Sequence, residues 1–131
     1  MSDIRIAVDA MGGDKAPYEI VKGVVEASRA WPELTLVRVG NREVISNELA
    51  KHKASPSERL QIFHTSETIE MCEPPAQAVR TKRDSSINRG MELLRDKKVD
   101  AFLSAGSTGA MVAAAILTAR RSQAVKRHAI G

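Results

Sequence analysis

Ile4-Arg5-Ile6-Ala7-Val8-Asp9-Ala10-Met11-Gly12-Gly13-Asp14-Lys15-Ala16-Pro17 is the stretch whose reading decides the fold. An apolar run rich in β-branched residues ends on a carboxylate and crosses a double glycine. It then meets a proline suited to the first turn of a helix, where a missing N–H costs nothing. A similar arrangement recurs at Asp100-Ala101-Phe102-Leu103-Ser104-Ala105-Gly106-Ser107-Thr108-Gly109-Ala110. In an α/β sheet such strand-to-helix turns gather at the carboxyl ends of the strands, where ligands bind. The two runs together point to a site for an anionic substrate.

Between them the hydrophobic period switches regularly. Ile20, Val21, Val24, Val25 and Ala27 carry helical spacing to about Ala30, where Pro32 stops it. Leu34–Val39 reads as a second strand closed by Gly40-Asn41. Val44, Ile45, Leu49 and Ala50 mark a second helix ending near Ser55-Pro56-Ser57, and Leu60–Phe63 is a third strand followed by His64. After a polar connection and Pro74-Pro75, a helix is expected over Ala76–Lys82. Another starts near Ser85-Ser86 with Ile87, Met91 and Leu94 turned inward. Val99–Leu103 is the fourth strand, and Thr108 to Arg121 the last long helix. The order βαβαβααβα predicts one α/β domain over residues 1–131, a parallel sheet with helices on both faces. Right-handed crossovers bring the strand ends to one edge. That edge would collect Asp9, Gly12, Gly13, Gly40, Asn41, His64, Ser104, Gly106, Ser107 and Thr108.

Composition narrows the class. Aromatics are 3% of 131 residues, so Val, Ile, Leu, Ala and Met must do most of the packing. Cys72 is the lone cysteine, which allows no internal disulfide and fits a reducing compartment. The most apolar segment, Ala110 to Ala119, is about half the roughly 20 residues a membrane span needs and reads as a buried helix. The net charge of +4 is uneven: residues 80–98 hold seven basic and three acidic side chains, whereas residues 1–79 are net acidic. Such a segment suits an acidic protein, acidic lipid or plain solvation. Nucleic acid is set aside, because no aromatics interleave with the cations to stack bases.

The motifs are not equally telling. The double glycine is neither a dinucleotide fingerprint nor a Walker A loop. It offers close backbone approach between Asp9 and Asp14, or more simply a tight turn with Asp14 capping the next helix. Ser104-Ala105-Gly106-Ser107-Thr108-Gly109 is the better anion candidate: backbone N–H groups converge at a helix start, and three hydroxyls add donors. Capping by Ser107 or Thr108 uses the same donors. Lys82 and Arg83 beside Ser85 and Ser86 suit phosphate, or a cap with solvated neighbours. His64 at a strand end is placed for acid–base work, although one histidine there also serves structure. No Cys/His cluster suggests zinc.

Three blocks in order then become informative together. Ile6-Ala7-Val8-Asp9-Ala10-Met11-Gly12-Gly13-Asp14 resembles the N-terminal signature of the bacterial phosphate acyltransferases. Ala78-Val79-Arg80-Thr81-Lys82-Arg83-Asp84-Ser85-Ser86 and the Asp100–Ala110 run are similar to that family's next two blocks. The resemblance covers the N-terminal two-fifths of a full-length member. The chain departs at Ser107, where the family usually carries asparagine. The resemblance implies a three-layer parallel-sheet sandwich related to phosphate acetyltransferases and isocitrate dehydrogenases, incomplete in this chain.

It also implies transfer of a fatty acyl group from acyl-acyl carrier protein to inorganic phosphate, giving acyl-phosphate for phospholipid synthesis. The enzyme would be a cytoplasmic homodimer without metal or cofactor, with either peripheral membrane association or a membrane acyltransferase as partner. Asp9, Gly12, Gly13, Asp14, Lys82, Ser85, Ser86, Ser104, Gly106, Ser107, Thr108 and Gly109 are the expected phosphate and substrate contacts. Arg80, Arg83, Arg89 and Arg95 would meet the acidic carrier, and His64 would be catalytic. A phosphate acetyl- or butyryltransferase using a CoA thioester, and a non-catalytic phosphate-binding fragment, stay open as alternatives. The 131-residue chain by itself is expected to be inactive.

Overall fold

The computed structural model describes residues 4–13 and 16–122. Within them the elements run β1 (Ile4–Asp9), α1 (Tyr18–Ala30), β2 (Leu34–Gly40), α2 (Arg42–Lys51), β3 (Leu60–His64), α3 (Pro75–Thr81), α4 (Ser86–Arg95), β4 (Ala101–Leu103) and α5 (Thr108–Ser122). This is the order the periodicity predicts. The four strands are all parallel, in spatial order β3-β2-β1-β4. From β1 the chain steps outward to β2 and β3, then returns to the other side of β1 as β4. The order therefore reverses between β1 and β4, the place where open α/β sheets hold ligands.

Strand alternation sorts the side chains into layers. Ile6, Val8, Leu34 and Leu36 meet Val21, Val24 and Val25 of α1 and Ile45 and Leu49 of α2. Each such valine or leucine contributes about 2 kcal/mol by leaving water. On the other face Ala7, Val37 and Val39 pack with Val99, Leu93 and Phe102. The third layer is not simple. α5 lies against α3 and α4, and the three helices share a core of their own around Val79, Ile87, Ala110 and Ala114. Gly90 seats α4 on the sheet: a Cβ there would stand 2.2 Å from the Phe102 ring.

Two expectations need correcting. Leu94 does not turn inward but is 38% exposed; one position round the helix, Leu93 takes the place against the sheet. β4 begins at Ala101, with Val99 buried ahead of it, so the strand is shorter than its apolar run.

Arg38 is the least expected core residue. It is fully buried in β2, donating Nε to the Gln61 carbonyl and Nη2 to the Leu60 carbonyl, and burial lowers its pKa to about 10.

Candidate functional site

The two glycine turns touch each other at the carboxyl ends of β1 and β4. Asp9, 1% exposed, holds them together. Its Oδ1 accepts from the Met11 backbone N–H at 3.0 Å, within its own turn, and its Oδ2 accepts from Ser104 Oγ at 2.8 Å, across to the other. Ser104 Oγ in turn accepts from the Gly106 N–H at 3.0 Å. A carboxylate, a hydroxyl and an amide thus form a relay that fixes one turn against its neighbour. Both oxygens of Asp9 are engaged, so the side chain positions backbone and leaves the direct contacts to other groups.

The backbones come too close for side chains. A Cβ on Gly12 would lie 2.7 Å from Asp9 Oδ2 and 2.9 Å from the Gly106 nitrogen; one on Gly106 would lie 3.2 Å from Gly12 Cα. Gly13 adopts φ +97°, a conformation L side chains rarely hold, and faces the Ala105 carbonyl. Sequence reading assigns these glycines to anion approach; the structure adds that they let the turns meet.

Beyond the contact, α5 begins. Ser107 is buried and is its cap, with Oγ accepting from the Ala110 N–H at 3.1 Å. The Ser107 and Gly109 N–H groups donate to nothing among the described residues, so they are available at the positive end of the helix dipole. Gly109 has a second reason to be glycine, since a Cβ would strike Pro75 Cγ at 2.7 Å. Thr108 opens α5, while its side chain, like the whole of Asp14, lies outside the described residues.

The charged segment is built differently. Lys82 Nζ donates to Glu73 Oε2 and to the Thr68 carbonyl, both at 2.8 Å, so its ammonium fastens the 65–73 connection. Glu73 is held below its usual pKa, first by that hydrogen bond from Lys82. Asp84 Oδ2 accepts from the Ser66 hydroxyl at 2.6 Å and the Ser66 N–H at 2.9 Å; Oδ1 accepts from Arg89 Nε at 2.8 Å. Ser66 first and Arg89 second pull the Asp84 carboxyl to about 2. Ser85 is buried as the cap of α4, accepting from the Asn88 N–H, and Ser86 is buried behind it.

Arg89 also pairs with Glu92, and Arg95 pairs with Asp96. Arg80 and Arg83 alone of the four arginines are exposed and make no ion pair with the described residues.

His64 stands apart from both turns, on the edge strand two places from β1. Its Nδ1 accepts from the Arg42 N–H at 3.0 Å, adding to the Asn41 cap of α2. The ring is exposed, with Nε2 as the nitrogen left to bear the proton. Arg38 is the residue sequence reasoning passed over; the signal was a lone cation inside the apolar run Leu34–Gly40.

Among the described residues no group of three or more His, Cys, Asp or Glu could hold a metal ion. No helix there is long and apolar enough to cross a membrane.

Comparison with known proteins supplies the family. The family model described as fatty acid synthesis protein matches residues 4–131. The chain is 46% identical over 127 residues to the phosphate acyltransferase of Thermoanaerobacter pseudethanolicus, covering 97% of this chain and 37% of that relative. It is 42% identical to the phosphate acyltransferase of Halothermothrix orenii, of which it covers 38%, and 46% identical to that of Dictyoglomus turgidum, of which it covers 37%. The chain thus spans well under half the length of these relatives.

Proposed function

We propose a function on the premise that this chain belongs to the fatty acid synthesis protein family, as its match over residues 4–131 establishes. The reading is an acyltransferase of phospholipid synthesis that moves a fatty acyl group from acyl-acyl carrier protein to inorganic phosphate. The observation that carries it is the Asp9–Ser104–Gly106 relay, which presents the start of α5 at the β1/β4 reversal.

In this reading phosphate sits on the free Ser107 and Gly109 N–H groups at the helix start. A phosphate oxygen attacks the thioester carbonyl, the C–O bond forms, the C–S bond breaks and the carrier thiolate leaves to take up a proton. No covalent enzyme intermediate is needed. The protein's contribution is to hold phosphate in line and stabilise the oxyanion, which oriented backbone donors do without reorganising. Gly12, Gly13 and Gly106 keep the approach open, while Asp9 and Ser104 position the turns. Lys82, Ser85 and Ser86 brace the neighbouring connection and helix. His64, two strands away, serves as a helix cap here.

Of the four arginines, Arg80 and Arg83 are the ones free to meet an acidic carrier. Homodimer formation and peripheral membrane association belong to the same proposal.

Titration of the isotope-labelled chain with inorganic phosphate against matched chloride tests the anion site. The Ser107, Thr108 and Gly109 amide resonances should move and those of Lys82–Ser86 should stay. The opposite pattern overturns the assignment. For the carrier, Arg80→Glu with Arg83→Glu should weaken use of the carrier-bound donor, in a chain of the relatives' full length, and do so most at low salt. Arg89→Glu with Arg95→Glu, disturbing residues already ion-paired, should weaken it less.

A further inference from the structure

The turn into α5 is touched at two points by different neighbours. At Gly106 it meets the β1 turn, where a Cβ would lie 3.2 Å from Gly12 Cα. At Gly109 it meets Pro75, where a Cβ would lie 2.7 Å from the ring Cγ and 3.1 Å from the ring Cβ. Gly109 carries one of the two amides that donate to nothing among the described residues, so the Pro75 ring flanks a free donor. Pro75 opens α3 and is itself exposed. A ring placed only to fill the core would be buried; this one stands at the mouth of the anion site.

Behind that contact the seam between α3 and α5 is not filled. The two helices leave a slot of about 170 Å³, lined by Ala76, Val79, Arg80, Ala113, Ile116 and Leu117. Gly109, Ala113, Ile116 and Leu117 recur at helical spacing, so one face of α5 runs from the free amide into the slot. Pro75 stands where that face leaves the anion site. Its ring offers neither N–H nor hydroxyl, so an anion oxygen turned against it would lose water and gain no donor.

We propose that Pro75 is a positioning residue for the acyl transfer, an inference that rests on reading the α5 start as the phosphate site. The ring closes that site on the α3 side and bars the acyl group from the slot. The phosphate oxygen left without a donor then faces the other way, toward the Gly12–Gly13 turn. The thioester approaches there: the C–O bond forms as the C–S bond breaks, and the departing thiolate takes its proton from water. Without the ring the slot would offer the acyl group a second direction. Its carbonyl would then meet phosphate in two orientations, of which only one is productive.

Phenylphosphonate, whose single non-oxygen substituent reports direction, tests this on the isotope-labelled chain. In wild type, nuclear Overhauser contacts from the phenyl protons should reach Gly12 and Gly13 and miss the Ala76 methyl. Pro75→Ala should add the Ala76 contact, while affinity for inorganic phosphate stays within about twofold. Pro75→Val keeps the apolar bulk and should keep the wild-type pattern. Both variants should fold: the first helical N–H needs no partner within the helix, and Ala78 and Val79 still pack with Ala110 and Ala114. A phenyl–Ala76 contact in wild type, or its absence in Pro75→Ala, overturns the proposal. So does a Pro75→Val pattern matching that of Pro75→Ala, which would tie the effect to helix geometry and not to the wall. If phosphate moves none of the Ser107–Gly109 amides in wild type, the anion site itself fails and the proposal falls with it. Phosphate shifts at those amides with the same phenyl contacts in all three proteins would sink the proposal alone.

Discussion

Two regions of this molecule offer themselves to an anion, and they are built on opposite principles. The Lys82–Ser86 segment is rich in charge, but its charges are largely spent: Lys82 on Glu73 and Thr68, Asp84 on Ser66 and Arg89. The Ser104–Gly109 turn carries no charged side chain. Its donors are backbone amides, held in place by a carboxylate that sits behind the turn. The difference teaches that formal charge in a sequence marks where ions are, and free donors mark where a ligand fits. A self-paired cation would have to break a hydrogen-bonded ion pair before taking a phosphate, whereas helix-start N–H groups that donate to nothing have nothing to give up.

The comparison breaks most dramatically if the turns do not depend on their contact. Gly12→Val places a branched side chain where even one Cβ would be 2.7 Å from Asp9 Oδ2 and 2.9 Å from backbone. The variant should lose about 3 kcal/mol or more of stability, and phosphate should no longer perturb the Ser107–Gly109 amides. Wild-type unfolding and wild-type phosphate shifts would mean that the turns are independent.

Ser104→Ala cuts the relay more gently. It leaves Asp9 Oδ2 buried without its donor, a loss of about 1–3 kcal/mol in chemical denaturation. Phosphate affinity should fall with it, because the Gly106 N–H also loses its acceptor. Lys82→Met sharpens the other half. The 65–73 connection should exchange faster once Lys82 no longer bonds Glu73 and Thr68, while phosphate affinity at the turn stays within about twofold, a few tenths of a kcal/mol. A tenfold loss in calorimetric titration would restore Lys82 to the anion site.

Much of this was legible beforehand, for reasons visible in individual residues. Alternating apolar periods and glycine punctuation give the element order, because burying one helix stripe between prolines leaves little freedom. The meeting of the Asp9 and Ser104 turns was legible only as a shared sheet edge. The relay depends on β4 returning beside β1, and strand order is not written in local periodicity. Lys82 shows the limit from the other side. Its partner Glu73 lies nine residues away across a connection with no regular pattern, so its ion pair could not be read locally. Leu94 misled because a helix near its end has two apolar positions, and the sheet chose Leu93.

The smallest expected effect concerns Asp84, and it separates a bracing carboxylate from a ligand-binding one. Ser66 first, then Arg89, lowers its pKa from the ordinary 3.8 to about 2. A carboxyl whose folded-state pKa is depressed contributes stability above its unfolded value, and loses it as pH falls through the folded one. The window is therefore between about 3.8 and about 2. Asp84 is about one-third exposed, so solvent screens the contribution to under about 1 kcal/mol. Asp96 and Glu73 titrate low as well, each held by its own partner, which makes the wild-type slope alone ambiguous. The informative quantity is the difference in unfolding free energy between wild type and Asp84→Asn, followed from pH 5 downward. It should be constant above the window and shrink within it, while the carboxyl resonance of Asp84 titrates near its lower end. Phosphate at saturating concentration should leave that resonance unmoved at neutral pH. Were phosphate to shift it, Asp84 and its neighbours would have to be read as part of the anion site, and the contrast between the two regions would fail.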